Sequence, residues 1–157
     1  MQIRAAKYAD INAISELIMP LVEHAIVPTC SEQGASLLLA SMNSASIERY
    51  FAEGYQYYIA QLSAEIIGVI AIVDNSHLYH LFVAQQHQGN GCARALWRHA
   101  KEQCLKAGNN GHFTVNCALS AVPVYKRWGF VALAGIRERH GVKDVPMSLN
   151  SDRIKLA

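Results

Sequence analysis

The apolar positions of this chain fall into two textures. From residue 11 to about 52 they recur at helical spacing, and from 55 to 83 they crowd into β-branched and aromatic runs. Ile11, Ile14, Leu17 and Ile18 predict a first helix, with Asp10 placed to N-cap it and Pro20 to end or kink it. Leu21–Ile26 extend it by a turn or two until Pro28 breaks the chain. Ser31 caps a second helix carrying Leu37, Leu38, Leu39 and Met42, and Ser46–Ala52 form a third that stops at Gly54. Gln2–Ala6, ahead of this block, suit a short strand. After it, Tyr55–Leu62 and Glu65–Val73 flank a Ser63-Ala64 turn as an antiparallel hairpin, and His77–Val83 adds a third strand to the meander.

The second half alternates more evenly. A helix from Cys92 to about Ala107 turns Ala93, Leu96, Trp97, Ala100 and Cys104 inward, and Gly108 stops it. His112–Cys117 is a strand. Ser120 caps a short helix to Trp128, with Pro123 in its first turn, where a missing N–H costs little. Val131–Arg139 and Val145–Leu149 are the last strands, joined across His140-Gly141. This order predicts an α/β fold, a mixed sheet with helices on both faces.

Composition narrows the classes. A chain of 157 residues with 52% hydrophobic residues fits one domain spanning 1–157 and excludes a disordered polymer. A net charge of +2 is too small for a nucleic-acid surface. The four cysteines form no CxxC pair and the seven histidines are scattered, so no metal site is expected and free thiols in a reducing cytoplasm are. Met1–Asp10 has no apolar signal core, and the longest apolar run, Ile66–Val73, is too short to span a bilayer; a soluble protein with no membrane partner is expected.

Candidate chemistry starts at Gln88-Gly89-Asn90-Gly91-Cys92-Ala93, between a strand and a helix. Such a turn aims unpaired backbone N–H groups and the positive end of a helix dipole at one point, which is an anion site. It lacks the three-glycine spacing of a dinucleotide fingerprint and the Gly-Lys-Ser/Thr of a P-loop. About thirty residues downstream stands Ala121-Val122-Pro123-Val124-Tyr125-Lys126-Arg127-Trp128-Gly129-Phe130, preceded by Asn116.

Together these two segments resemble the GNAT acetyltransferase superfamily. Gln88, Gly91 and Ala93 match its Gln/Arg-x-x-Gly-x-Gly/Ala motif after the fourth strand, and Ala121, Tyr125, Gly129 and Phe130 its motif after the fifth. The resemblance implies a mostly antiparallel sheet of six to seven strands, splayed between the fourth and fifth. It implies acetyl-CoA as co-substrate, with Gln88, Gly89, Asn90, Gly91, Cys92, Ala93 and Arg94 cradling its pyrophosphate. Leu81, Phe82 and Val83 would pair with the pantetheine arm as an added strand, and Asn116 would bind that arm. The acceptor would be a small-molecule or peptide amine, and a homodimer is possible. A non-catalytic acetyl-CoA-binding sensor of the same fold is the alternative.

Tyr125 is the expected general acid to the leaving thiolate, and the amide of Val83 or its neighbour the oxyanion donor. The base is open. An alkyl amine of pKa near 10.4 is only about 0.04% neutral at pH 7, a deficit of about 4.6 kcal/mol, so its proton needs a route out. His77, His80, Tyr79, Glu23 and His24 are candidates, strand alternation placing His77 and Tyr79 on one face and His80 on the other. Cys117 keeps a covalent-carrier variant open, and His87 reads as a solvated loop residue. Arg137, Glu138, Arg139, His140, Lys143 and Asp144 cluster at the last hairpin, where some of them would select substrate.

Overall fold

The structure, a computed structural model, describes residues 1–151, so the end of the expected 1–157 domain lies outside the described residues. Its strands are β1 (Gln2–Ala5), β2 (Gln56–Leu62), β3 (Glu65–Val73), β4 (His77–Val83), β5 (His112–Cys117), β6 (Val131–Ala132), β7 (Arg137–Arg139) and β8 (Val142–Asn150). The helices are α1 (Ile11–Ala25), α2 (Glu32–Ala40), α3 (Ser44–Ala52), α4 (Cys92–Lys106) and α5 (Val122–Arg127). The sheet has eight strands in the order β1-β2-β3-β4-β5-β8-β6, with β7 also on β8. Every pairing is antiparallel except β4 with β5.

The sheet is buried on both faces, which is why β3 reads as a nearly unbroken apolar run rather than an alternation. Ile59, Val69 and Ala71 pack with Ile14, Ile18 and Val22 of α1 and Ile47 and Tyr50 of α3. Ile70, Ile72, Leu78 and Phe113 pack with Leu96, Trp97 and Ala100 of α4 and with Tyr125 and Phe130. Two irregularities re-aim side chains. Gln61 opposes Ile66 and Ala60 opposes Gly68, leaving Ile67 as the extra residue; likewise Ala71 opposes His80 and Ile72 opposes Leu78, leaving Tyr79.

Four local expectations are corrected. Pro20 does not end α1: it lies on the exposed face, where the carbonyl it strands is solvated, while the buried stripe Ile14–Ile18–Val22 runs through. Asp10 is not a side-chain cap. Its carboxylate takes Arg4 Nη1 at 2.8 Å and the Lys7 amide at 2.7 Å, and the Arg4 guanidinium holds its pKa below the usual carboxylate value. Ser120 sits in a 3-10 turn, Leu119–Ala121, and α5 begins after it without a side-chain cap.

The strand expected over Val131–Arg139 is two, β6 and β7, offset by two residues against β8. Pro146 is the cause. Its carbonyl accepts from the Leu133 amide at 2.8 Å, so its nitrogen faces the same neighbour and has no proton to return. The ladder stops there, and Leu133–Ile136 bulge outward before pairing resumes.

The tip of the β7–β8 hairpin is clasped by α2. Ser31 caps α2 through its Oγ to the Gly34 amide at 3.0 Å, as expected, and the Ser31 amide donates to the Gly141 carbonyl at 2.9 Å. The approach requires glycine on both sides. A Cβ on Gly34 would fall 2.3 Å from Gly141 O, and one on Gly141 would fall 1.9 Å from Ser31 Oγ. Gly34→Ala is expected to destabilise the protein by about 1–3 kcal/mol, the usual cost of overpacking. Urea denaturation measures it; an unchanged midpoint would mean that the hairpin tip does not rest on α2.

Candidate active site

The site begins where the sheet opens. Only His77 with Thr114 and Leu78 with Val115 pair across β4 and β5, after which β4 runs on to Val83 and β5 to Cys117 without contact between their ladders. β4 remains bonded to β3 as far as the Val83–Gly68 pair, and β5 to β8 over its whole length. The two strands therefore diverge, and the edge of β4 beyond Leu78 faces a cleft of about 300 Å³. Leu81 and Phe82 line one wall; Val115, Asn116 and Cys117 line the other with Ala121 and Tyr125. Arg139, Val142, Lys143 and Asp144 of the last hairpin also line it, as do Ile26, Leu38, Ser41 and Met42.

At the far end of β4 the chain makes a 3-10 turn, Gln85–His87, and enters α4 through the glycine loop. Gly91 is the residue before α4 and has φ 83°, which an L side chain rarely adopts. The Ala95 amide donates to the Gly91 carbonyl at 3.0 Å as the first bond of the helix, so the amides of Cys92, Ala93 and Arg94 have no carbonyl one turn back. A Cβ built on Gly89 or Gly91 meets nothing within 4 Å, so open space lies over both. Gln88 braces the loop: its side-chain amide donates to the Val83 carbonyl at 3.0 Å and its backbone amide to Gln85 at 3.3 Å. Asn90 is exposed, whereas the Cys92 thiol is buried against β3, where a Cβ on Gly68 would come within 3.0 Å of it.

Tyr125 reaches the cleft from α5 and is 5% exposed. Burial, with a smaller contribution from Cys117, pushes its phenol above the ordinary tyrosine value. It stays protonated at any physiological pH, the state a proton donor needs. Cys117 is buried too, its Sγ donates to the Ala118 carbonyl at 3.1 Å, and burial raises it to about 12. A thiol held neutral in this way is a poor nucleophile, which weighs against a covalent carrier.

Asn116 belongs to a network that spacing alone did not reveal. Arg137 donates from Nη2 to Asn116 Oδ1 at 2.7 Å and from Nε to Asp144 Oδ1 at 2.6 Å, and Arg139 Nη2 reaches Asp144 Oδ2 at 3.2 Å. The hairpin charges were legible as a cluster; their pairing depends on the offset of β7 against β8, which only the fold supplies.

The base candidates separate. The bulge at Tyr79 overturns the expected facing, since Tyr79 and His80 both turn toward α3. Their rings are 4.5 Å apart, and both contact Tyr50. His80 is 2% exposed, its Nδ1 lies 3.1 Å from Tyr57 Oη, and its Nε2 is buried with no hydrogen-bond partner among the described residues. Burial depresses its pKa to about 3, so it cannot hold a proton at neutral pH. His77 is half-buried with Nδ1 2.7 Å from Thr114 Oγ1, and burial depresses it too. The Tyr79 phenol is raised by burial and donates to Tyr50 Oη at 3.1 Å. Glu23 and His24 are exposed on α1 and do not line the cleft. Among the described residues no three His, Cys, Asp or Glu side chains converge as a metal site requires. None of their helices is long and apolar enough to cross a membrane.

An open α/β sheet splayed at its one parallel pair, with an amide-lined loop beyond the splay, defines a class of acyl-transfer domains. The acetyltransferase (GNAT) domain profile matches residues 26–151, and the chain belongs to that family. A GCN5-related N-acetyltransferase from Rhodopseudomonas palustris superposes with TM-score 0.80 at 17% identity, covering 94% of this chain and 93% of that one. PaiA N-acetyltransferase from Thermoplasma acidophilum, solved with coenzyme A, gives 0.77 at 15%, over 94% and 96%. YncA from Salmonella typhimurium, a putative acetyltransferase solved with its cofactor acetyl-CoA, gives 0.67 at 20%, over 96% and 93%. A search of curated protein sequences found no match.

His80 makes a pH prediction. Its folded pKa lies below the unfolded 6.5, so the unfolded chain takes up the proton first, and stability falls as pH drops from 6.5 toward 3. Each pH unit in that window costs up to about 1.4 kcal/mol. Chemical denaturation of wild type and His80→Phe at pH 7, 5.5 and 4 should show a shallower acid loss in the variant; equal losses would mean that His80 titrates normally in the folded protein.

Proposed function

We propose that this protein is an acetyl-CoA-dependent N-acetyltransferase acting on a primary amine by direct attack. The observation that carries the reading is an unpaired β4 edge and a buried, protonated tyrosine on one cleft, with a loop of unbonded amides following the end of β4. Amides from Gly89 to Arg94 would hold the pyrophosphate, with helix charge contributing about 0.3–1 kcal/mol and charge-assisted hydrogen bonds more. Gln88 would act mainly as the brace described above. The pantetheine arm would lie along Leu81–Val83 as an added strand, with Asn116 donating to it from Nδ2.

The amine nitrogen attacks the thioester carbonyl, the carbonyl oxygen is met by an amide on the open edge at Val83 or its neighbour, and as the C–S bond breaks Tyr125 gives its proton to the departing sulfur, while the proton that the new amide nitrogen sheds returns through solvent to the Tyr125 phenolate. His80, which burial depresses to about 3, is a poor acceptor for the amine's proton, and His77 has its Nδ1 already engaged with Thr114. We therefore assign loss of that proton to solvent, before attack. Four free cysteines, three of them buried, suit a reducing cytoplasm.

Tyr125→Phe is expected to lower turnover by roughly 100-fold or more with coenzyme A affinity little changed, as thiol release and calorimetry would measure. Wild-type turnover in that variant would remove the general-acid assignment. Gly91→Glu puts a side chain and an anion in the space over the loop, and should abolish thermal stabilisation by coenzyme A; retained stabilisation would overturn the cradle. For wild type, kcat/KM should climb tenfold per pH unit toward the acceptor's own pKa. A plateau beginning near pH 6–7 would reveal a base in the site.

A further inference from the structure

We infer that Arg137 is a positioning residue for the cofactor: anchored on Asp144, it fixes the Asn116 amide so that Nδ2 is offered to the pantetheine arm of acetyl-CoA. The inference rests on the acetyl-CoA reading and extends the arm's site to the last hairpin.

Position along the strands comes first. The parallel ladder ends at the Leu78–Val115 pair, so Asn116 is the first residue of β5 beyond it, at the narrow end of the cleft. The glycine loop follows the other end of the open β4 edge, after Val83. From the pyrophosphate to the sulfur, the arm has about as many main-chain bonds as four residues of extended polypeptide. An arm laid back along β4 from Val83 therefore brings its thioester end to the level of Asn116.

Strand register then gathers the side chains. Asn116 is opposite Pro146 on β8, Asp144 stands two residues before Pro146, and Arg137 is opposite Asp144 on β7. Alternation puts Asn116, Asp144 and Arg137 on one face of these strands. Val115, Cys117, Val145 and Met147 turn to the other face, in the core cluster that holds Tyr125. An arm lying in the plane of the sheet is thus met by Asn116 from one face and by Tyr125 from the other, both of which line the cleft.

The network decides which atom Asn116 offers. Arg137 Nη2 donates to Asn116 Oδ1 at 2.7 Å, and a guanidinium has no acceptor for Nδ2, so the amide does not turn over. The guanidinium is itself held: its Nε donates to Asp144 Oδ1 at 2.6 Å, and its planar fork fixes the two acceptors relative to each other. Asp144 is steadied in turn by Arg139 Nη2 at 3.2 Å, and its side chain is only 13% exposed. Asn116 Nδ2 has no partner among the described residues, and the carbonyls of the arm are acceptors of the kind it lacks.

The test is calorimetric binding of coenzyme A and of 3′-phospho-ADP, its fragment without the arm, to wild type, Asn116→Ala, Arg137→Met and the double variant. Arg139 still pairs with Asp144 in Arg137→Met, so that carboxylate is not left alone. Each single change should weaken coenzyme A about tenfold and leave 3′-phospho-ADP as in wild type. The double variant should bind no more weakly than Asn116→Ala, because Arg137 acts through Asn116. A hairpin that merely holds the fold together would weaken both ligands alike. Unchanged coenzyme A affinity in Arg137→Met, equal losses for the two ligands, or additive losses in the double variant overturn the inference and leave the acetyl-CoA reading in place. If wild type binds no coenzyme A, that reading fails and the inference falls with it.

Discussion

The site depends on hydrogen bonds that are not made. β4 could pair with β5 along its length, and it stops after two residues. What pulls them apart is pairing elsewhere. β4 stays paired with β3 to its last residue despite the bulge at Tyr79, and β5 with β8 over six consecutive pairs, so each strand follows a different neighbour. Buried backbone donors and acceptors left open cost free energy unless something satisfies them. In the function proposed, a ligand with an extended run of amides would answer that cost by adding a strand where β5 has moved away. The glycine loop, the phenol of Tyr125 and the last hairpin gain their meaning from lying around that gap.

Much of this was readable in the sequence, for reasons that differ by element. β2, β3 and β4 are legible because β-branched and aromatic residues crowd there, and the Gln88–Ala93 loop because the Ala121–Phe130 segment stands about thirty residues beyond it, the loop alone being a common turn. Elements that failed did so where a tertiary neighbour outranked a local rule. Pro20 should break a helix, but its carbonyl partner faces water and the buried stripe beneath carries the helix through. Asp10 should cap α1, but Arg4 on the neighbouring strand competes for its carboxylate. His80 looked like a base on a half-open strand, but one extra residue at Tyr79 turned it into a buried aromatic cluster. A bulge leaves no compositional mark in His77–Val83, so strict alternation put the two rings on opposite faces.

The hairpin network joins the two halves of the site more tightly than the sequence suggested. Arg137 can only donate, so the Asn116 atom facing it is the carbonyl oxygen, and the Asn116 Nδ2 remains to donate into the cleft. The same guanidinium holds Asp144, the one acidic side chain lining the cleft among the described residues. A single arginine therefore orients Asn116 and holds Asp144 on the same side of the cleft. Its position follows from Pro146, which ends β6 early and shifts β7 by two residues to bring Arg137 opposite Asp144. A proline in β8 thus sets the electrostatics of the cleft through strand register, without lining the cleft itself.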